Sequence, residues 1–310
     1  MIRVVVIGLD LEGLAASWAF RQHPQLEVWT VGHESLGGDC ANLRPIMHTE
    51  SAGNLLREVR VPYASYGPRS GILLGGSVQR YPDALTTHLE KAERIFNDWQ
   101  RKAGLPITRL NGELKHRPRP RRLRCEHEEL VNALTKGANI IETERWRLEP
   151  GTLLVDGRCL DYDFAVLTAP LWECCSRVWF PLPNIETTMR TTAVVSGPKA
   201  TRFRQWDRVL TPYTPECGVY EVTDHGGQYS AVLAGEGSIG VLLSDLNYLF
   251  PGGYSIDSIR RERGRSTPLP KQTRWPENIA SLGTRSEWRT ALPLDIALDG
   301  AYVLMRKWLR

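Results

Sequence analysis

The chain opens with a short apolar run, a glycine turn and a helical pattern, and this order constrains its fold more than any other feature. Residues 4–7 are continuous Val and Ile, as expected of a strand buried in a parallel sheet. Gly8 interrupts the run, and the apolar residues of 14–20 then recur with helical spacing. A strand, a tight turn and a helix in this order predict the first βαβ unit of a dinucleotide-binding fold.

The turn departs from the glycine fingerprint of such folds at its middle position. The fingerprint is G-x-G-x-x-G, whereas this chain has Gly8-x-Asp10-x-x-Gly13. The missing side chain of the middle glycine lets the backbone approach a pyrophosphate, so Asp10 adds bulk and negative charge there, and Glu12 adds a second carboxylate. A carboxylate beside a diphosphate costs on the order of 1 kcal/mol unless cations offset it or it points away.

Length and composition indicate an ordinary globular protein. At 310 residues, with 42% hydrophobic and 24% charged residues, the chain can bury a large core in one to three domains. No apolar run approaches the ~20 residues that span a bilayer, and Met1 leads straight into a strand without a signal-peptide pattern. We therefore expect a cytoplasmic protein, in the host cytoplasm if it is viral. The 6 cysteines show no C-x-x-C spacing, so we expect no metal site and favour reduced thiols for Cys174-Cys175 over a redox pair.

Positive charge is concentrated in two segments. The net charge is only +4, but residues 115–124 hold 6 cations in 10 positions, and residues 260–265 hold 4 in 6. Such segments attract phosphates, and they are equally common as solvated loops. The sequence leaves both interpretations open.

Residues after the second predicted strand, 26–31, supply further candidate ligands. In dinucleotide folds, a carboxylate roughly 20 residues past the glycine turn binds the ribose hydroxyls. Glu34 lies 21 residues past Gly13 and is the candidate for that role.

The rest of the chain alternates between helical and strand patterns. Helices are predicted at 12–22, 49–59 with Thr49 as N-cap, 83–102, 127–136 and 294–309. Strands are predicted at 2–8, 138–142, 162–168, 191–195, 219–223, 229–234 and 240–243, with a hairpin in 152–168 that turns at Asp156-Gly157. Residues 61–82 predict irregular structure or short strands, and the Pro- and Arg-rich segment 104–125 predicts a loop.

This order predicts an α/β fold with a Rossmann-type domain built from separate pieces and an interleaved second domain of sheet and helices. We assign residues 1–60, 126–185 and 276–310 to the nucleotide-binding domain, and 61–125 and 186–275 to a substrate domain. A plain NAD dehydrogenase usually has one contiguous nucleotide domain. Interleaving is typical of flavoproteins of the glutathione-reductase type.

Four stretches of the chain resemble the FAD-dependent amine oxidases and the UDP-galactopyranose mutase-like flavoproteins, in order and spacing across nearly the whole length. They are the glycine turn and helix start in 5–16, the doublet Leu36-Gly-Gly-Asp39, the strand and Thr-Ala-Pro turn in 160–171, and the late Asn278-Ile-Ala-Ser-Leu-Gly-Thr-Arg285 segment with its continuation to Trp288. Two departures accompany Asp10: Asp39 follows the doublet where amine oxidases often have Arg or Lys, and Thr284 separates Gly283 from Arg285.

The resemblance implies FAD as cofactor and a set of residues around it. Glycines and carboxylates would approach the diphosphate and ribose, and two arginines would neutralise the phosphates: Gly8, Asp10, Gly13, Glu34, Gly37, Gly38, Arg44, Gly283 and Arg285. The activity it implies is hydride removal from the carbon beside an amine nitrogen, followed by cleavage of the C–N bond. Candidate catalytic residues are His48, Tyr66, Tyr213 and Trp288, with Tyr63 and Tyr220 as further lining residues; ordinary packing is the alternative for each.

A narrower hypothesis concerns the substrate. Flavoproteins similar to this chain occur in bacterial viruses that hypermodify thymidine, where an amino-acid adduct on the base is oxidised across its C–N bond. A DNA base must leave the duplex stack to reach a flavin, and basic segments would hold phosphates without reading sequence. The partner would then be an amine-bearing substrate, or DNA with a modified base, and no membrane.

Two other functions are kept open. One is a non-redox mutase that uses reduced flavin. The other is a degenerate, flavin-free fold that binds nucleic acid or a partner protein; Asp10 and the altered late segment favour it, while the retained Gly8, Gly13, Gly37 and Gly38 oppose it.

Overall fold

The structure is a computed structural model that describes residues 1–33, 36–38, 45–74, 77–80, 121–182, 187–197, 203, 205–211, 218–235, 237–265, 275–283 and 293–309. The strands are β1 (Ile2–Ile7), β2 (Leu26–Gly32), β3 (Ile46–Met47), β4 (Tyr63–Tyr66), β5 (Ser70–Leu74), β6 (Ser77–Arg80), β7 (Arg122–Cys125), β8 (Asn139–Glu142), β9 (Trp146–Glu149), β10 (Thr152–Val155), β11 (Arg158–Asp161), β12 (Phe164–Leu167), β13 (Thr187–Ser196), β14 (Arg208–Leu210), β15 (Val219–Asp224), β16 (Gln228–Ala234), β17 (Ser255–Arg265) and β18 (Ile279–Ser281). The helices are α1 (Leu11–Arg21), α2 (Glu50–Glu58), α3 (His127–Thr135), α4 (Leu171–Cys174), α5 (Ile239–Leu249) and α6 (Leu294–Trp308).

A five-stranded parallel sheet with strand order β18-β12-β1-β2-β8 is the centre of the first compact unit, which comprises residues 1–66, 121–185 and 269–310. Val4 of β1 lies opposite Val28 of β2 and Phe164 of β12, so the amino-terminal strand is covered on both edges. This arrangement explains why β1 is a continuous apolar run. The expected α/β fold with a Rossmann-type sheet is confirmed, including the strand–turn–helix start.

Helices cover one face of this sheet. Every residue of α1 from Leu11 to Phe20 is buried, and α1 packs against α6. Trp308 near the end of α6 stacks on Phe164 of the sheet with ring centroids 4.1 Å apart, and on Phe20 of α1 at 5.7 Å. Burying an aromatic side chain such as Phe20 contributes roughly 2–3 kcal/mol, so this stack ties the last helix to the first strand-helix unit.

An antiparallel meander of order β11-β10-β9 packs on the opposite face. Its hairpin turns at Asp156-Gly157, as predicted, and both residues have positive φ, 47° and 77°. Such a pair matches the two-residue turn whose twist suits a hairpin.

A small sheet of order β3-β7-β4 completes the first unit. Ile46 of β3 and Ser65 of β4 both lie opposite Leu123 of β7. The loop predicted for 104–125 is therefore wrong at its end, because these pairs make residues 122–125 a strand. They also place 61–66 and 121–125 in the first unit, whereas the sequence-based bounds place them in the second. The assignment of a coenzyme to one unit and a substrate to the other stays a prediction.

The second unit, residues 67–120 and 186–268, contains a seven-stranded sheet of order β17-β13-β16-β15-β14-β5-β6. Its pairs are antiparallel except β14 with β5. The strand predicted at 240–243 is wrong: this segment begins α5, because Ser238 caps the helix at Val241 N (3.1 Å) and the buried Leu242, Leu246 and Leu249 recur at helical spacing.

The helix predicted at 83–102 lies outside the described residues, as does most of the basic segment 115–124. Within the described parts, no helix combines the length and apolarity needed to cross a membrane.

Candidate nucleotide-binding site

Asp10, which stands in place of the middle glycine, caps the first helix. Its backbone is extended (φ −64°, ψ 170°), and its Oδ1 accepts a hydrogen bond from the Gly13 amide at 2.7 Å. Its carbonyl oxygen accepts from the Leu14 amide at 2.9 Å, so α1 begins directly after it. Aspartate is among the preferred N-cap residues because its carboxylate satisfies an amide that a helix leaves unpaired at its start. The residue that departs from the fingerprint is thus a structural part of the turn.

Gly8 and Gly13 are required by close packing at the carboxyl ends of β1 and β12. A Cβ on Gly13 would overlap the Gly8 carbonyl oxygen, and a Cβ on Gly8 would overlap Thr168 Oγ1 and lie 2.7 Å from Ala169 N. Gly8 also has φ +135°, which side chains rarely adopt. The buried Thr168 hydroxyl donates to the Ile7 carbonyl at 3.1 Å and joins the two strand ends. The sequence identified Thr168 only as part of a turn.

The glycine doublet pairs with the first turn. The Gly37 amide donates to the Leu9 carbonyl at 2.8 Å, and Gly37 forms an isolated parallel bridge with Asp10. Gly37 and Gly38 have φ of +86° and +78°. A Cβ on Gly37 would lie 2.7 Å from His127 Nε2, in the first turn of α3. Burial lowers the pKa of His127, so its ring is neutral at pH 7. No sequence pattern pointed to His127, because it reaches Gly37 only through the fold.

The late glycine approaches the same helix. Gly283 follows β18, where the Leu282 amide donates to the Leu167 carbonyl at 2.9 Å. A Cβ on Gly283 would lie 2.7 Å from Glu12 Oε2. Glu12 is only 2% exposed, so its carboxyl group is packed into the fold at this point. The Glu12 side chain of the first family-like stretch therefore packs against the Gly283 backbone of the fourth.

These turns lie at the carboxyl edge of the parallel sheet, around the first turn of α1. This edge is where open α/β sheets bind ligands, and the amides and dipole of a helix N-terminus favour anions there. The negative charges of Asp10 and Glu12 oppose the binding of an anion there. The site can therefore hold an anion against backbone, with part of the attraction offset by its own carboxylates.

A histidine–glutamate contact that the sequence did not reveal lies beside the end of β2. His33 Nε2 is 3.4 Å from Glu173 Oε2, which belongs to α4, just after the Thr168 turn. Burial raises the pKa of Glu173, while the facing His33 and Arg177 oppose that rise. His33 directly precedes Glu34, but its partner comes from a distant part of the chain, so no local signal reveals the pair.

The candidates His48 and Tyr66 lie on the small sheet. His48 Nδ1 is 2.8 Å from the Ser65 hydroxyl, and the His48 amide donates to the Arg121 carbonyl at 2.9 Å. The Arg124 guanidinium lies over the Tyr66 ring, 5.0 Å from its centroid. These contacts account for both side chains within the small sheet, and their catalytic role stays a prediction.

The remaining candidates are divided between the units or fall outside the described residues. Tyr63 is half-buried against the helix-covered core, whereas Tyr220 is buried in the second unit. Outside the described residues lie Glu34, Arg44, Tyr213, Arg285 and Trp288.

In the described segments, no group of three or more His, Cys, Asp and Glu side chains is arranged to hold a metal ion. Cys174 is buried and Cys175 is exposed, and Cys175 Sγ donates to the Leu171 carbonyl at 3.3 Å. Burial and two nearby glutamates raise the pKa of the Cys125 thiol to about 11. A thiol with so high a pKa is a poor nucleophile.

Comparison with known proteins finds solved structures of the same fold. No family model and no curated protein matches the sequence. An oxidoreductase from Methanosarcina mazei is 13% identical with a TM-score of 0.68, over 98% of this chain and 100% of the other. A reduced UDP-galactopyranose mutase is 12% identical with a TM-score of 0.69, over 100% and 94%. An iminodiacetate oxidase from Chelativorans sp. BNC1 is 16% identical with a TM-score of 0.56, over 97% and 94%. A flavin-dependent halogenase also shares the fold. At these identities the matches establish the fold, over nearly the whole chain.

Proposed function

We propose that this protein is a FAD-dependent oxidoreductase. The observation that carries the proposal is the convergence of three glycine turns, at Gly8, Gly37 and Gly283, on the first turn of α1 at the carboxyl edge of a parallel sheet. Structures with this fold include an oxidoreductase, an oxidase and a flavin-dependent halogenase. The four family-like stretches of the sequence, which are similar to those of FAD-dependent enzymes, support the same conclusion.

The amides and dipole at the start of α1 suit the negative charge of a dinucleotide diphosphate. The glycines of the surrounding turns are required by packing, because a Cβ at Gly8, Gly13, Gly37 or Gly283 would overlap neighbouring protein atoms. The cost is electrostatic, because Asp10 already accepts from the Gly13 amide and places its charge where a diphosphate would lie. We assign this carboxylate a penalty on the order of 1 kcal/mol, which weakens the binding of FAD without excluding it.

The proposed reaction is oxidation of the C–N bond of an amine. When bound, FAD would accept a hydride from the carbon beside a neutral amine nitrogen, and water would split the resulting imine into a carbonyl compound and an amine. In this scheme α1 and the glycine turns hold and orient the cofactor. The iminodiacetate oxidase with the same fold supports this substrate class.

The most specific form of the proposal is an amino-acid adduct on a modified thymine base of phage DNA. It is supported by the exposed Arg261 and Arg263 on β17, which could attract phosphates. DNA binding that weakens linearly with the logarithm of salt concentration, and that falls for the double variant R261Q/R263Q, is the expected outcome. Unchanged anisotropy of a labelled duplex at low salt would remove DNA from the proposal.

Reconstitution with FAD tests the cofactor. The full chain is mixed with FAD, desalted and scanned for flavin absorbance near ~450 nm, with riboflavin as the matched ligand that lacks the diphosphate. We expect FAD to be retained or to titrate saturably, and riboflavin to bind at least tenfold more weakly, because the diphosphate contacts α1. Anaerobic bleaching by iminodiacetate or another N-substituted glycine then supports amine oxidation. Equal, unsaturable signals for FAD and riboflavin would overturn the proposal.

A flavin-free protein is the second candidate, and the hydrogen bond from Gly13 N to Asp10 Oδ1 favours it. In that case the carboxylate replaces the diphosphate as the cap of α1. The same titration separates the two functions, since a flavin-free protein binds neither FAD nor riboflavin. The mutase alternative shares its fold with the UDP-galactopyranose mutase and predicts flavin binding without bleaching by amines.

A further inference from the structure

The two faces of the seven-stranded sheet differ in chemistry. One face packs against α5 through apolar side chains, among them Ala193, Ala231 and Leu246. The opposite face carries hydroxyl groups that are nonetheless buried: Thr192 is 4% exposed, Ser230 4% and Thr223 9%. Buried hydroxyl groups normally find hydrogen-bond partners within the fold, and Thr223 donates to Glu221 Oε1 at 3.3 Å.

Two buried polar groups on the hydroxyl-bearing face have no hydrogen-bond partner among the described residues. They are the Thr192 hydroxyl and the Arg260 Nη1 atom, and both are shielded from solvent. Leaving such a group unpaired costs on the order of 1–3 kcal/mol, and more when it is charged. An unpaired hydroxyl and an unpaired guanidinium nitrogen on the same face are therefore a feature that the fold alone does not explain.

The two unpaired groups are neighbours. Thr192 of β13 lies directly opposite Arg260 of β17 in an antiparallel pair, so their side chains share one face with Cβ atoms about 5 Å apart. Val194 lies on the same face of β13, and Val232 of β16 lies opposite Thr192. The side chains of both valines are buried. The donors thus lie on the same face as buried apolar side chains.

The surrounding charges favour an anion. Two carboxylate residues belong to this face. Glu221 lies one strand beyond Val232 and is paired with Arg208 at 2.9 Å. Glu262 lies two residues from Arg260 on β17, directly opposite Arg190 on β13. Since Arg190 and Arg208 each lie beside one of these carboxylate residues, Arg260 and Thr192 together add one positive charge and two donor groups. This complement matches a singly charged, planar carboxylate better than a phosphate, which carries more charge and would need further cations.

We propose that Thr192 and Arg260 form a binding subsite for a ligand carboxylate. The inference deepens the proposed function and rests on it in one respect: the amine that is oxidised would be an amino acid or an amino-acid adduct, held by its carboxylate. The subsite itself is built from the second unit alone.

Calorimetric titration of the full chain with N-methylglycine, N-methylglycinamide and inorganic phosphate tests the subsite. The amide is a matched probe that lacks the negative charge. We expect N-methylglycine to bind about tenfold more tightly than its amide, and phosphate to bind no better than the amide. Arg260→Gln should abolish the preference for the carboxylate, and Thr192→Val should reduce the affinity about three- to tenfold.

A second readout distinguishes a binding role from a structural one. Thr192→Val removes a buried unpaired hydroxyl, so the urea midpoint of the ligand-free protein should stay the same or rise while carboxylate affinity falls. Arg158→Gln changes an exposed arginine on β11 of the first unit and should alter neither quantity.

FAD retention, measured in parallel, separates this inference from the proposed function. Loss of carboxylate preference in Arg260→Gln, with or without FAD retention, supports the subsite. Equal binding of N-methylglycine and its amide by the native protein, or an unchanged preference in both Arg260→Gln and Thr192→Val, overturns it even when FAD is retained.

Discussion

The carboxyl edge of the parallel sheet and the hydroxyl-bearing face of the seven-stranded sheet differ in whether certain buried polar groups have hydrogen-bond partners. At the edge, Asp10 accepts from the Gly13 amide and Thr168 donates to the Ile7 carbonyl. On the sheet face, the hydroxyl of Thr192 and one nitrogen of Arg260 are buried and make no hydrogen bond within the part of the chain that the structure describes. The groups at the edge are therefore already hydrogen-bonded in the free protein, whereas those at the sheet face are not.

This difference predicts two kinds of binding. A ligand at the edge must displace or tolerate Asp10, so part of its binding energy offsets a contact that the free protein already has. A ligand at the sheet face supplies partners that the free protein lacks, so binding removes a cost already present in the fold. Variants of these residues and their neighbours test this difference, with the largest expected effect first.

Removing one member of a paired group on the sheet face should have the largest effect. Arg208 and Glu221 form an ion pair at 2.9 Å with 14% and 10% of their side chains exposed, so Arg208→Met removes the positive charge that faces a nearly buried carboxylate. We expect a loss of about 3 kcal/mol in the free energy of unfolding, measured with urea. The double variant R208M/E221L should recover most of it; equal losses in both variants would contradict the charge argument.

Gly13→Ala should come next. Its Cβ would overlap the Gly8 carbonyl oxygen, which is backbone and cannot rotate away. We expect a loss of about 2 kcal/mol from the strain at the turn. Gly67→Ala is the matched control, since nothing lies within 4 Å of its Cβ and stability should be unchanged. A neutral Gly13→Ala would mean that the turn is less tightly packed than the geometry indicates.

Asp10 variants separate capping from charge. Asp10→Ala should lower the stability of the FAD-free protein by about 1 kcal/mol because the Gly13 amide loses its acceptor. Asp10→Asn keeps a capping oxygen without the charge, so stability should be nearly unchanged while FAD affinity rises about fivefold. Fluorescence titration with FAD measures the affinity, and a weaker affinity in Asp10→Asn would show that the carboxylate does not oppose the diphosphate.

The smallest effect concerns the pH dependence of the His33–Glu173 pair. Because burial raises the pKa of Glu173 above its ordinary value of 4.5, the folded protein binds that proton more tightly than the unfolded chain does. The resulting stability is present below pH 4.5 and is lost as the pH rises through the raised pKa. Over that window the Tm of the native protein should fall relative to Glu173→Gln. Glu144→Gln, at an exposed position, should not change the profile.

Several elements could be predicted because their signals are local. The run of residues 4–7, Thr49 as a helix cap and the Asp156-Gly157 turn each carry their cause within a few residues. The segment at 240–243 was wrong as a strand because a short apolar run fits both periods, and the cap at Ser238 and the spacing of the later leucines decide for a helix.

The candidate site was predictable in part. The glycines at positions 8, 13, 37 and 283 were identified from pattern and resemblance, and the structure brings their turns around the start of α1. Asp10 was recognised as a departure, but its capping bond depends on backbone geometry. His127 and the Glu173 partner of His33 carry no motif, because their roles arise from contacts between segments far apart in the chain.

Periodicity and turn chemistry were enough to establish an α/β protein that begins with a strand, a glycine turn and a buried helix, since hydrophobic spacing and backbone preference act over a few residues. Which polar groups are paired and which are buried alone depended on strand register across the sheets: Thr192 meets Arg260, and Glu12 meets Gly283, only after long-range packing brings their strands and helices together. Local preferences carry no information about which distant segments pack together, so these contacts form only when the whole chain has folded.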